Sequence, residues 1–237
     1  MTRLCRSRAM SEVKLHLGDC REFMKSMPDK SVDAVITDPP YGIGYEGGAV
    51  NKVKREKLAN DGDGKIYAEF VPLVFDVMRD GGSAYIFYAT SCEHEVYPIV
   101  SEIFGDYQQL IWHKTNATFG NPFARYKFDY EPLIYCRKGS PSTWNGSSKE
   151  RAVLRFPREA INSLHPTQKP LGLIKRLILN STNPGDTIFD PFMGSGTTGV
   201  ACMQTGRNFI GCEISPEYFA IAEKRIADAQ KQVRMPL

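Results

Sequence analysis

An acid, two prolines and an aromatic ring stand together at Asp38-Pro39-Pro40-Tyr41, directly after the apolar run 32–37. The carboxylate of Asp38 and the backbone carbonyl of Pro39 are suited to accept the two N–H bonds of an exocyclic amine, which localises its lone pair. Consecutive prolines restrict the backbone, so both acceptors are held in place in advance. Tyr41 offers a face on which a flat base can stack. Asp38, Pro39, Pro40 and Tyr41 are therefore candidate catalytic residues, and a turn with a helix-capping Asp is the structural alternative.

A glycine-containing turn follows the run Thr187-Ile188-Phe189 and reads Asp190-Pro191-Phe192-Met193-Gly194-Ser195-Gly196-Thr197-Thr198. Glycines between a strand and a helix let the chain bend sharply and let a ligand approach the backbone. Glu213 ends the next predicted strand about 20 residues later, the spacing of a carboxylate that binds ribose hydroxyls. The third glycine of the dinucleotide fingerprint is missing, so a nicotinamide cofactor is a weaker alternative, as is a plain tight turn.

Together the two motifs resemble those of the amino-group DNA methyltransferases, which methylate N6 of adenine or N4 of cytosine. The catalytic motif precedes the cofactor motif, as in the beta class of that family. The stretches 112–114, 130–132 and 165–170 are also similar to the family, so the resemblance runs from about residue 13 to residue 224. It implies an α/β, Rossmann-like S-adenosylmethionine-dependent methyltransferase fold with a mostly parallel sheet and a circularly permuted motif order.

The resemblance also implies which residues surround S-adenosylmethionine. Glu213 would hold the ribose, and Asp19 and Cys20 would lie beside the adenine, although a turn-forming Asp19 is an equal alternative. Lys169, just before a predicted helix, is a candidate contact, with a solvated lysine as the alternative. The candidate cofactor-binding residues are Asp19, Cys20, Asp38, Lys169, Asp190, Pro191, Phe192, Gly194, Ser195, Gly196, Thr197, Thr198, Glu213 and Ile214.

Two regions combine basic with aromatic residues, as a DNA-binding surface requires. They predict target-recognition loops near 42–64 and 115–160. The candidate DNA-binding residues are Lys52, Lys54, Arg55, Lys57, Arg125 and Lys127. The formal net charge of the chain is only +3, and a solvated surface is the alternative explanation of such charge runs. Double-stranded DNA is the predicted partner.

Adenine N6 is the favoured target, because family members that act on cytosine N4 more often carry Ser where this chain has Asp38. A base inside a duplex is out of reach, so the target must be flipped out. Cytosine N4 is the first alternative, and a DNA-binding protein with a vestigial cofactor pocket is an alternative of another class. An RNA or protein-glutamine methyltransferase is a weaker one. By resemblance, a cognate restriction endonuclease and a homodimer are further expectations.

The bulk properties limit the remaining classes of protein. The 237 residues suffice for one large α/β domain, so we predict a flexible extension over 1–12 and a single catalytic domain over 13–237. No apolar run approaches the roughly 20 residues of a membrane helix, and residues 1–10 do not resemble a signal peptide. A cytoplasmic protein without membrane contact is expected. Six scattered cysteines and four dispersed histidines predict no metal site.

Alternating strand and helix patterns predict a mostly parallel sheet covered on both faces. The predicted strands are 13–17, 32–37, 83–88, 108–112, 131–136, 186–189 and 207–212. The predicted helices are 21–27, 65–79 (ended by Gly81-Gly82), 92–104, 170–180 (with Pro170 at its first position), 197–205 and 216–231. Residues 42–64 are expected to form a long loop and 139–165 an irregular insertion. The last fifty or so residues supply too few strands for a sheet of their own, so the N-terminal part must complete it.

Overall fold

Strands and helices alternate along the chain as the sequence predicts. The computed structural model describes residues 11–40, 66–117, 126, 128–159 and 168–234. The strands are β1 (Val13–Leu17), β2 (Val32–Thr37), β3 (Met78–Phe87), β4 (Tyr107–Lys114), β5 (Tyr130–Arg137), β6 (Val153–Phe156), β7 (Thr187–Asp190) and β8 (Asn208–Glu213). The helices are α1 (Cys20–Ser26), α2 (Ile66–Val77), α3 (Glu93–Phe104, after a 3₁₀ turn at Thr90–Cys92), α4 (Leu171–Ser181), α5 (Thr197–Thr205) and α6 (Pro216–Arg234).

One sheet contains all of these strands, in the order β1-β8-β7-β2-β3-β5-β4-β6. Its pairs are parallel except that β5 runs antiparallel to both β3 and β4. The two C-terminal strands, β7 and β8, lie between β1 and β2. The N-terminal part therefore completes the sheet around the C-terminal strands, and the mostly parallel architecture is confirmed.

Helices cover both faces of the sheet, and β2 shows why its sequence is almost wholly apolar. Side chains of a strand point alternately to the two faces. Val35 packs into one core with α2 and α3, whereas its neighbours Ala34 and Ile36 pack into the other core with α4, α5 and α6. A strand that is buried on both faces leaves no place for an exposed polar side chain.

Three local predictions were wrong. The second helix ends at Val77, and Gly81-Gly82 lie inside β3, where an irregularity shifts the pairing with β2 between Val32 and Ala34. Pro170 is the N-cap of α4 and not its first helical residue. The region 139–165, predicted to be irregular, contains β6, which pairs with β4. The first and third outcomes depend on a strand neighbour that is distant in sequence.

Among the described residues, no helix has the length and apolarity needed to cross a membrane.

Candidate active site

The carboxyl ends of the central parallel strands border a cavity of about 610 Å³, a volume typical of small-molecule sites. Ligands of open α/β sheets bind at this edge. The catalytic and cofactor motifs are more than 150 residues apart, but they follow β2 and β7, which are paired directly through Ala34–Ile188 and Val35–Phe189. The pairing brings both motifs to one cavity.

The lining includes nearly all the candidate residues that the structure describes. Asp38, Pro39 and Pro40 line it from the catalytic motif. The candidate cofactor residues that line it are Asp19, Cys20, Asp38, Lys169, Asp190, Pro191, Phe192, Gly194, Ser195, Thr197, Thr198, Glu213 and Ile214.

Several predictions lie outside the described residues. They are those for most of the extension over 1–12, for the loop near 42–64, for parts of the loop near 115–160, and for the residues Tyr41, Lys52, Lys54, Arg55, Lys57, Arg125 and Lys127.

We call the part of the cavity around Asp190 and Glu213 the Asp190 half. Asp190 is buried; its Oδ2 accepts a hydrogen bond from the Thr198 hydroxyl at 2.6 Å, and its Oδ1 accepts one from the Phe192 N–H at 3.1 Å. Burial raises the pKa of Asp190 to about 7. The carboxyl group can therefore gain or lose a proton near neutral pH.

Glu213 ties the glycine turn to the end of β8. Its Oε2 accepts the Gly194 N–H at 2.9 Å, and its Oε1 accepts the Ser215 N–H at 2.9 Å. Burial raises the pKa of Glu213 as well. Since the partners of Asp190 and Glu213 are a hydroxyl and backbone N–H groups, which carry no charge, this half suits a ligand with a positive charge.

The two glycines of the turn have different surroundings. Both have a positive φ, +52° at Gly194 and +82° at Gly196. A Cβ on Gly194 would meet nothing within 4 Å, whereas one on Gly196 would come within 2.9 Å of the Ala222 Cβ on α6. Gly194 thus keeps open space beside the cavity. Gly196 lies outside the lining and allows α5 to pack closely against α6.

Asp19 lies at the start of α1 and at the border of the cavity. It lines the cavity, and it also caps α1 by accepting the Arg21 N–H at 2.8 Å. The Arg21 guanidinium pairs with the carboxylate and lowers the pKa of Asp19. Beside it, burial raises the pKa of the Cys20 thiol to about 12, so this cysteine stays a thiol at neutral pH.

The opposite part of the cavity, which we call the Asp38 half, contains a chain of alternating charges. Lys169 Nζ lies 2.6 Å from Asp38 Oδ2 and 2.9 Å from Glu131 Oε2. Lys114 Nζ lies 2.7 Å from Glu131 Oε1. The Lys169 ammonium is also 4.9 Å from the centre of the Phe87 ring, and its side chain is only 8% exposed. Lys169 therefore joins the catalytic motif to Glu131.

Charge pairing outweighs burial in this half. Burial alone would raise the pKa of Glu131, but Lys169 and Lys114 hold that pKa at about 2. Burial alone would lower the pKa of Lys169, but Asp38 and Glu131 raise it above its ordinary value. Glu131 and Lys169 are therefore both charged at neutral pH.

Glu131 and Lys114 were missed as site residues, although their neighbourhoods were noted as similar to the family. Because β5 is antiparallel to β3, its beginning lies at the edge where the parallel strands end. Glu131 is near the beginning of β5, and Lys114 ends β4. An acid at the start of an antiparallel strand was the signal, but it becomes useful only when the strand direction is known.

The described residues contain no group of three or more His, Cys, Asp or Glu that could hold a metal ion.

Comparison with known proteins shows that this chain is similar in sequence to DNA methylases. The sequence model of the DNA methylase (N6/N4) family matches residues 32–224. Type II methyltransferase M2.MboI of Moraxella bovis is 30% identical, over 89% of this chain and 86% of that protein. DNA adenine methyltransferase YhdJ of Escherichia coli (strain K12) is 31% identical, over 88% of this chain and 81% of that protein.

Solved structures of DNA methyltransferases are also similar to this chain. The M1.HpyAVI–SAM complex superimposes with a TM-score of 0.71 at 30% identity, covering 90% of this chain and 98% of that one. The cytosine-N4-specific PvuII DNA methyltransferase gives a TM-score of 0.73 at 18% identity, covering 94% and 93%, which shows a shared fold alone. S-adenosylmethionine is accordingly the cofactor. This chain belongs to the N6/N4 DNA methylase family.

Proposed function

We propose that this protein transfers a methyl group from S-adenosylmethionine to N6 of an adenine that is flipped out of double-stranded DNA, within a short recognition sequence. One observation carries the proposal: the Asp38 and Asp190 motifs lie in a single cavity of about 610 Å³, on directly paired strands. An amine and a methyl donor can therefore be held next to each other.

The Asp190 half is the proposed place of the cofactor. When bound, S-adenosylmethionine supplies a methyl group on a positively charged sulfur. The uncharged partners of Asp190 and Glu213 leave negative charge for such a ligand, and the open space at Gly194 allows close approach. Glu213 would hold the ribose, and Asp19 and Cys20 would border the adenine.

The Asp38 half is the proposed place of the target amine. The Asp38 carboxylate and the Pro39 carbonyl would each accept one N–H of the amine, which localises the nitrogen lone pair for attack. Acceptors fixed in advance need little reorganisation during the reaction. Cys20 lines the cavity as a thiol with a pKa near 12, so this side chain is a poor nucleophile, in keeping with direct transfer to nitrogen.

Adenine is preferred to cytosine as the target on two grounds. Asp38 stands where cytosine-N4 members of the family more often carry Ser. The relative YhdJ, whose name is that of a DNA adenine methyltransferase, is 31% identical over most of both chains. The vestigial-pocket alternative is disfavoured, because Asp38 is built into an ion-paired network.

The DNA-facing surface is proposed to lie beside the Asp38 half. Phe128 lines the cavity with 60% of its surface exposed, and Tyr126, two residues earlier in the chain, is almost fully exposed. An exposed aromatic ring in a cavity lining supports contact with an unstacked base. Tyr41 and the basic residues of the loops near 42–64 and 115–160 are the proposed further contacts, within one catalytic domain over 13–237.

Two partners and a location are part of the proposal. Curated relatives are named Type II methyltransferases, which supports a cognate restriction endonuclease. A homodimer and a cytoplasmic location rest on the family resemblance.

The test is methyl transfer from labelled S-adenosylmethionine to unmethylated duplex DNA, followed by nucleoside analysis. Label in N6-methyladenine is expected, and mapping the modified positions then identifies the recognition sequence. Label in N4-methylcytosine would keep the site and replace the target base. A protein that binds the cofactor but labels neither base in duplex DNA would contradict the proposal.

A further inference from the structure

Asp38 belongs to a chain of four charged side chains, in the order Asp38, Lys169, Glu131 and Lys114, of which Lys169 is buried and the others are partly buried. The three contacts along it are 2.6, 2.9 and 2.7 Å. Lys169 and Lys114 are 8% and 14% exposed, and Glu131 and Asp38 are 27% and 28% exposed. Placing charges out of water costs free energy that pairing often only offsets, so stability alone gives a weak reason for such a chain.

The chain also connects separate parts of the fold. Asp38 follows β2, Lys169 directly precedes the N-cap of α4, Glu131 lies on β5 and Lys114 ends β4. The ammonium of Lys169 thus lies between two carboxylates that approach from different strands. Ionic hydrogen bonds of this kind are short and directional, so they restrict the rotation of each carboxylate.

The ion pair also bears on the charge of Asp38, because a second carboxyl group lines the same cavity. Asp190 lines the same cavity, and besides burial the like charge of Asp38 raises the pKa of Asp190. Burial and, together with other charges, the charge of Asp38 raise the pKa of Tyr67 on α2. A protonated Asp38 would present an O–H donor where the amine requires an acceptor. The ion pair with Lys169, at 2.6 Å, opposes protonation of Asp38.

We propose that Lys169 is a positioning residue for Asp38, held in place by Glu131 and Lys114, which keeps the Asp38 carboxylate ionised and oriented toward the target amine. This inference rests on the proposed role of Asp38. It differs from the sequence-based expectation that Lys169 contacts the cofactor, and the two make opposite predictions. A cofactor contact governs the affinity for S-adenosylmethionine, whereas a positioning residue governs the rate of transfer.

The main experiment compares Lys169→Met with the wild-type full chain. We expect kcat at pH 7.5 to fall at least about a hundred-fold. The Kd of S-adenosylmethionine by calorimetry should stay within about three-fold of wild type, since uniform binding is not removed. Lys169→Arg, which keeps the charge, should recover at least about ten-fold of the lost rate. Lys231→Met, on the exposed side of α6, is the matched control and should leave both quantities unchanged.

A measurement without bound ligand reports on Asp38 itself. The ¹³C shift of its carboxyl carbon is followed against pH in the ligand-free protein. In Lys169→Met the carboxylate should take up its proton at a higher pH than in wild type, because the neighbouring cation is gone. The acid side of the kcat–pH profile should move in the same direction. A merely structural lysine would leave both midpoints in place.

The single variant leaves two partly buried carboxylates with one cation fewer and can fail to fold. Lys169→Met with Glu131→Gln removes one charge of each sign, so the balance is kept and the same measurements apply. Loss of cofactor affinity with an unchanged kcat would overturn the inference, as would identical Asp38 titrations in wild type and variant. Failure of the proposed function gives a different result, because wild type itself would then place no label on adenine. The pH titration of the Asp38 carboxyl carbon would still show whether Lys169 controls the protonation of Asp38.

Discussion

The two halves of the cavity stabilise their carboxylates in opposite ways. In the Asp190 half, Asp190 and Glu213 are bonded to a hydroxyl and to backbone N–H groups, and burial raises both of their pKa values. In the Asp38 half, ammonium groups of Lys169 and Lys114 flank the carboxylates, and the pKa of Glu131 is held at about 2.

This difference matches what each half is proposed to bind. Uncharged donors leave the Asp190 half short of positive charge, so a cationic cofactor completes it. Ammonium groups complete the Asp38 half before any substrate arrives, so Asp38 already has a cationic partner when a neutral amine enters. Charge is thus supplied by the ligand in one half and by the protein in the other.

The largest effect is expected at the acceptor itself. Asp38→Ala removes a fixed hydrogen-bond acceptor, so kcat should fall at least about a thousand-fold, the upper range for loss of one such group. The Kd of S-adenosylmethionine should change little, because that affinity is assigned to the other half. Label transfer and calorimetry measure the two quantities. Asp80→Ala, an exposed surface residue paired with Lys30, is the control. Full activity in Asp38→Ala would remove the distinction between the halves.

The next effect is a pH dependence confined to the Asp190 half. With a pKa of about 7, Asp190 is mostly protonated at pH 6 and mostly ionised at pH 8. A cationic ligand favours the ionised form, so affinity rises with pH and binding near neutral pH releases a proton. The Kd of S-adenosylmethionine should be about ten-fold higher at pH 6 than at pH 8 by this linkage.

Asp190→Asn sharpens this second test. The amide cannot ionise, so calorimetry between pH 6 and pH 8 should give a nearly constant Kd and no proton release that depends on residue 190. A variant that kept the full wild-type pH dependence would show that another group titrates. The assignment of the ligand charge to Asp190 would then be wrong.

The smallest effect is expected at the far end of the same half. Glu213→Gln keeps the size of the side chain but loses its charge and one acceptor, so cofactor affinity should fall about five-fold, the cost of one hydrogen bond. The saturated kcat should stay within about two-fold, because the ribose is remote from the transferred group. Glu217→Gln, exposed on α6, is the control. An unchanged Kd in Glu213→Gln would exclude this residue from the cofactor site.

The local elements of the fold could be predicted because they depend on short-range patterns. The predicted bounds of β1, β2 and α5 agree with the structure. An apolar run between turn signals fixes a buried strand, and a glycine turn followed by Thr197 fixes the start of a helix, without reference to distant residues. The motif residues Asp38, Asp190 and Glu213 follow from the same kind of signal at strand ends.

Only the tertiary structure decided which residues meet. The placement of β7 and β8 between β1 and β2, the strand pairing through Gly81-Gly82 and the addition of β6 all require partners far along the chain. The same holds for Lys169, which the family resemblance makes a candidate cofactor contact and whose ion pairs with Asp38 and Glu131 appear only in the folded structure. A sequence specifies which side chains carry charge, but the energy of an ion pair depends on distance and burial, which the packing of the strands alone determines.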